Sequence, residues 1–145
     1  MKKVLSKSLD DTARIAAEWI ASLSKKENEA LVVGLSGNLG SGKTAFTKAV
    51  AAALGIEEMV TSPTFVIEKI YESKVTPWTR LVHIDAYRLE SARELEVLNF
   101  EELVEDPNNL ILIEWPENVK EILPEGVLTI KCEFVSETER EYTFD

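Results

Sequence analysis

Apolar positions along the chain switch between helical and strand-like spacing, and the switches outline its elements. Thr12, Ile15, Ala16, Trp19, Ile20 and Leu23 fall on one face of a predicted helix. Ser8 suits its N-cap, and Asp11 completes a capping box in its shorter acidic form. The polar stretch from Ser24 to Glu29 separates this helix from Leu31–Ser36, a short apolar run that reads as a buried strand. Helical spacing returns with Ala45, Phe46, Ala49, Val50, Ala53 and Leu54, and Gly55 is placed to end that helix.

Further on, Phe65, Ile67, Lys69 and Tyr71 alternate with Val66, Glu68 and Ile70, as in a strand. Pro63 lacks a backbone donor and biases Ser62 away from helix, so Ser62-Pro63-Thr64-Phe65 reads as a loop at the strand's start. A turn from Ser73 to Trp78 leads to Leu81–Asp85, and the two strands are expected to pair antiparallel. Ser91–Leu95 opens a helical stretch that buries Leu95, Leu98 and Phe100, and a second short segment carries Leu103 and Val104. After the turn Pro107-Asn108-Asn109, the continuously apolar Leu110–Ile113 reads as a central strand ending in Glu114-Trp115-Pro116. A brief helix over Val119–Leu123 stops at Pro124, and strands over Val127–Val135 and Glu141–Phe144 finish the chain. No repeats interrupt this order. The 145 residues suit one domain, 1–145, of α/β class.

Between the buried strand and the second helix stands Gly37-Asn38-Leu39-Gly40-Ser41-Gly42-Lys43-Thr44, which fits G-x-x-x-x-G-K-[ST]. Glycines in such a loop let backbone N–H groups turn inward around phosphate oxygens. Lys43 would reach the β- and γ-phosphates, and the Thr44 hydroxyl would ligate Mg²⁺. The helix N-terminus adds free N–H groups and a favourable dipole. Hydrolysis further requires carboxylates near the metal. Asp85 and Glu114 each end an apolar strand, and parallel strands converge at their C-termini, so either acid suits the role. His83 lies within an apolar strand, where a neutral, hydrogen-bonded ring is the commoner state. Trp115 suits packing, with orientation of Glu114 as its alternative role.

Charge narrows the partners. The chain carries 16 basic and 26 acidic residues, a net charge of −10, which repels a phosphate backbone and disfavours broad nucleic-acid binding. Its single cysteine, Cys132, lies in an apolar run and reads as a core thiol in a reducing cytoplasm. No apolar run is long enough to cross a bilayer. The basic start at Met1-Lys2-Lys3 meets Lys7, Asp10 and Asp11 before any signal-peptide core could form.

The P-loop, then Ser62-Pro63-Thr64-Phe65, His83-Ile84-Asp85-Ala86-Tyr87-Arg88-Leu89 and Ile113-Glu114-Trp115-Pro116-Glu117, occur in one order that resembles the bacterial tRNA threonylcarbamoyladenosine biosynthesis ATPases, the TsaE family. The resemblance spans most of the chain. It implies a P-loop NTPase-like three-layer sandwich with a mostly parallel central sheet and antiparallel edge strands. It implies ATP and Mg²⁺ as ligands, and slow hydrolysis that partners stimulate. The partners would be a heterodimer of the threonylcarbamoyl transferase subunit and its paralogue, with tRNA met mainly through them. The modified adenosine lies beside the anticodon in tRNAs reading codons that begin with A. By motif, Thr44 and Glu114 would hold Mg²⁺, while Asp85 would sit beside nucleotide and attacking water. Ser62-Pro63-Thr64 would be a switch-like loop facing the γ-phosphate, with Thr64 joining Asp85 and Lys43 in catalysis. Asp11 and Glu117 match positions near the nucleotide. Ala86 and Asn38 depart from the family's usual larger apolar residue and aspartate, and neither removes a group the chemistry needs.

The alternatives are a small-molecule or nucleoside kinase and a nucleotide-gated binding module. A kinase calls for lid arginines, and Arg14, Arg80, Arg88, Arg93 and Arg140 form no recognisable cluster. A GTPase switch is disfavoured, since N-K-x-D is absent and Asp85 is followed by Ala86-Tyr87-Arg88 rather than D-x-x-G. A binding module needs the same ligands as a slow ATPase, and the sequence does not separate them.

Overall fold

The architecture follows from one strand that both faces of the molecule must cover. Leu31–Ser36 (β2) is buried along Leu31–Leu35, so it needs hydrogen-bonding neighbours on both edges and apolar cover on both faces. In the computed structural model it has both. The structure describes residues 2–38, 40–57, 68–75, 77–89, 94, 96 and 99–145. Around β2 lie β1 (Lys2–Ser6), α1 (Leu9–Ser22), α2 (Lys43–Ala53), β3 (Glu68–Glu72) and β4 (Arg80–Asp85). They are followed by α3 (Phe100–Glu105), β5 (Asn109–Glu114), a 3₁₀ segment (Pro116–Ile122), β6 (Leu128–Phe134) and β7 (Arg140–Phe144).

The strands form one seven-stranded sheet in the order β1-β7-β6-β2-β5-β4-β3. Its centre, β6-β2-β5-β4, is parallel, whereas β3 on one flank and β7 and β1 on the other are antiparallel to their neighbours. The sheet is therefore mixed. Alternation along β2 and β5 divides the core. Leu31, Val33, Leu35, Leu110 and Leu112 face the layer of α1 and α2 with Ile15, Phe46 and Val50. Val32, Ile111 and Ile113 face Phe100, Leu103 and Val119 from α3 and the 3₁₀ segment. An aromatic group ties α2 to the sheet and to α1. The Phe46 ring centroid lies 5.5 Å from Trp19, 5.1 Å from Tyr142 and 6.0 Å from Phe144.

Local signals explain most boundaries. Ser8 caps α1 by accepting a 3.0 Å bond from the Asp11 amide, and the Asp11 carboxylate accepts from Lys7 N at 3.0 Å. Gly55 adopts φ +74° just past α2. The predicted pairing of the third and fourth strands is realised as β3–β4. Three readings need correction. The chain opens with a strand, β1, where the sequence pattern shows none. The last short helix begins at Pro116 rather than Val119, because proline suits a first helical position, and Val119 itself is non-helical at φ −134°. Leu103 and Val104 lie on a short second helix as expected, but Phe100 opens that helix instead of closing the stretch before it, because Asn99 turns into the left-handed region at φ 59°. Phe65–Ile67 and most of Ser91–Leu98 lie outside the described residues. Among the described residues no helix is long and apolar enough to cross a membrane.

Candidate functional site

The two helices on one face of the sheet begin differently. The first turn of α1 carries Asp10 and Asp11, and Ser8 caps it. That of α2 has no acidic residue, and Gly42 before it offers no side-chain cap. A helix end with unfilled N–H groups and no local carboxylate is suited to an external anion. The loop leading to it depends on glycine where space and torsion both demand it. Gly37 has φ +149°, and a Cβ there would run into the Cys132 carbonyl and lie 2.6 Å from Ser41 Oγ. Gly42 has φ +102°, and a Cβ would stand 2.8 Å from the Tyr142 hydroxyl. Ser41 Oγ is buried and has no hydrogen-bond partner among the described residues. Leu39 lies outside them.

Lys43, 5% exposed, folds back across this loop. Its Nζ donates to the carbonyl of Gly37 and, at 3.0 Å, to that of Asn38, and it stands 4.3 Å from the centre of the Trp115 ring. Burial lowers the Lys43 pKa, against the opposing pull of Glu114 foremost, then Cys132, Asp85 and Glu117. The three carboxylates therefore act on one ammonium. Asp85 and Glu114 reach it because parallel β4 and β5 place them side by side in register at the strands' C-terminal ends. The Tyr87 amide donates to Asp85 Oδ1 at 3.0 Å. Glu117 is exposed in the first turn of the 3₁₀ segment. Thr44 is half-buried in the first turn of α2.

The residue that touches the Glu114 carboxylate is His83, whose Nε2 lies 2.6 Å from Oε2. Trp115 takes a different place from orienting Glu114. It adopts φ 60°, donates its amide to Leu35 O at 3.2 Å, and lays its ring over Lys43 and beside Tyr87. Asp11 engages the Lys7 amide at the start of α1. Next to it a cleft of about 470 Å³ runs from Ser8, Asp10 and Thr12 to Gly42 and Ala45, walled by Arg140 and Tyr142. Neither of those last two residues stands out in the sequence. They reach the P-loop only because β7 inserts between β1 and β6, which brings the Tyr142 hydroxyl to donate to Gly42 O at 3.3 Å. Ser62, Pro63, Thr64 and Phe65 lie outside the described residues.

The donor set suits Mg²⁺ better than a metal held by protein alone. Among the described residues no three His, Cys, Asp or Glu side chains cluster. Mg²⁺ commonly takes one or two protein oxygens and completes its shell with phosphate and water. Cys132 plays no part in such chemistry. It is 2% exposed, and burial pushes its thiol up to about 12. The folded protein should thus resist an aromatic disulfide reagent at pH 8 and react with one thiol per chain in denaturant; rapid labelling without denaturant would refute this.

Fold and site together define an α/β protein with a seven-stranded mixed sheet and a glycine-rich loop whose lysine lies in the field of two strand-end carboxylates. The family model for the threonylcarbamoyl adenosine biosynthesis protein TsaE matches residues 6–142. The chain belongs to the TsaE family. It is 37% identical to the Treponema pallidum tRNA threonylcarbamoyladenosine biosynthesis protein TsaE over 141 residues, covering 97% of this chain and 98% of that one. With the Bacillus subtilis protein of the same name it shares 42% identity over 113 residues, 78% of this chain and 68% of that one. The crystal structure of Bacillus subtilis YdiB superposes with a TM-score of 0.76 at 31% identity, over 99% of this chain and 83% of that one.

Proposed function

We propose that this protein is a P-loop NTPase-like ATPase that binds and hydrolyses ATP with Mg²⁺ in support of threonylcarbamoyladenosine formation in tRNA. The observation carrying this reading is the placing of Lys43 at the uncapped start of α2, its Nζ held by the Gly37 and Asn38 carbonyls, in the field of Glu114, Asp85 and Glu117. The ammonium, held by two loop carbonyls, exchanges them for phosphate oxygens, and the glycine-shaped backbone receives the rest of the phosphate chain. Thr44 and Glu114 are the residues that would hold Mg²⁺, which supplies positive charge opposite the β- and γ-phosphates. Asp85, beside Glu114 in register, is placed to orient the attacking water. Trp115 covers Lys43 and keeps bulk water from the ammonium. The cleft beside Gly42 and Ala45 takes the nucleoside end of ATP, and Asp11, between the lining residues Asp10 and Thr12 in sequence, is assigned to a position near it. Thr64 and its Ser62–Phe65 loop are assigned to sensing the γ-phosphate.

The protein acts through the transferase heterodimer, and the net charge of −10 accords with meeting tRNA chiefly through those partners. ATP hydrolysis by the purified protein, alone and with the heterodimer plus tRNA, tests this. Weak turnover alone that rises strongly with partners is expected. Binding without turnover in either condition would instead make this a nucleotide-gated module, and phosphate transfer to a metabolite would make it a kinase.

A further inference from the structure

We propose that His83 is a positioning residue for Glu114: it fixes one carboxylate oxygen so that the other is presented to Mg²⁺. The inference rests on the metal reading of Glu114 given above and adds a residue to it. Both side chains are almost fully withdrawn from water, His83 at 0% and Glu114 at 3% exposed. They come from adjacent parallel strands. In the β4–β5 register Asp85 stands opposite Glu114 and His83 opposite Leu112, so His83 lies one pleat behind Asp85 on the same face as Glu114. Two residues of the His83-Ile84-Asp85 run thus serve the site, and Ile84 between them packs in the opposite core.

The ring geometry determines what His83 can do. A carboxylate that binds Mg²⁺ is ionised and only accepts hydrogen bonds, so the positioning role requires the proton on Nε2, 2.6 Å from Oε2. The other nitrogen, Nδ1, is buried with no hydrogen-bond partner among the described residues, so the ring's one polar commitment there is to Glu114. A glutamate has three rotatable bonds, and an anchored oxygen removes most of that freedom before a cation arrives. Such outer partners of a metal ligand typically contribute about 10–100-fold in metal affinity. A packing histidine would contribute to stability alone.

The chain has a single histidine, so its ring nitrogens can be observed without assignment mutants. A ¹⁵N–¹H correlation spectrum of the metal-free protein should place a proton on Nε2; an unprotonated Nε2 would overturn the proposal. The second arm titrates MgCl₂ against a non-hydrolysable ATP analogue, with a parallel affinity measured in EDTA. His83→Leu should need about tenfold more Mg²⁺ for half-saturation and keep its affinity in EDTA. His83→Gln, whose amide N–H can reach the same oxygen, should recover most of the loss. An unchanged Mg²⁺ midpoint in His83→Leu, or no recovery in His83→Gln, would overturn the positioning role. If His83→Leu does not fold, the comparison of His83→Gln with wild type and the spectrum decide: a Mg²⁺ midpoint near wild type with a proton on Nε2 supports the role, and any other result overturns it. Wild-type analogue binding that ignores Mg²⁺ would sink the metal reading of Glu114, and this proposal with it, whereas the preceding outcomes sink His83's part alone.

Discussion

Replacing Lys43 with alanine is expected to weaken binding of an ATP analogue about hundredfold while leaving the fold at least as stable. Hydrogen bonds to charged groups contribute roughly 1.5–3 kcal/mol each, and about 1.4 kcal/mol is a factor of ten. Losing the ammonium also leaves less positive charge between the phosphates and Glu114, Asp85 and Glu117. Stability should move the other way. The folded state lowers the Lys43 pKa below its ordinary 10.5, so the charged form is disfavoured by folding at neutral pH. That cost is relieved as pH rises through the folded pKa toward the unfolded one. Calorimetric titration beside a thermal melt separates the two effects. Affinity within about threefold of wild type, less than one hydrogen bond to a charged group, would remove Lys43 from phosphate binding.

The second large effect belongs to the helix behind that lysine. Phe46→Ala should cost about 3–5 kcal/mol, the usual penalty for truncating a buried aromatic. Phe46 is fully buried and touches three rings from two elements, Trp19 on α1 and Tyr142 and Phe144 on β7. It is also one turn from Lys43, so the loss should loosen the start of α2 and reduce nucleotide binding together with stability. Denaturant unfolding reads the first effect. A change below about 1 kcal/mol would mean that the surrounding rings close over the gap.

Features encoded within a few residues were legible in the sequence, and features made by distant ones were not. The run Leu31–Ser36 gave its strand boundaries directly, since apolar continuity and a following glycine-rich loop leave little choice. Ser8 and Asp11 marked a helix start because a cap acts over three residues. By contrast, β1 is concealed by Lys2 and Lys3 and by exposed side chains at an edge, where alternation carries no burial signal. The contact of His83 with Glu114 depends on the register of two strands, which no local spacing states. The same applies to Tyr142, whose bond to Gly42 spans 100 positions. Trp115 packs, as the sequence suggests, but its partner was not legible. Its φ of 60° turns the ring toward Lys43, and only the tertiary contact with Leu35 O reveals that turn.

The placement of β7 has a consequence for how the chain is built. Among the described residues β1 pairs only with β7, and β7 lies between it and β6. During synthesis from the N-terminus, residues 2–6 must therefore wait, with every ladder hydrogen bond unmade, until residues 140–144 have been added. The same late strand carries Tyr142, which closes on the P-loop at Gly42, and Phe144, which packs against Phe46. Completion of the cleft beside Gly42 and zippering of the sheet edge are thus one event, timed to the last residues of β7. A growing chain lacks this cleft until β7 has been made.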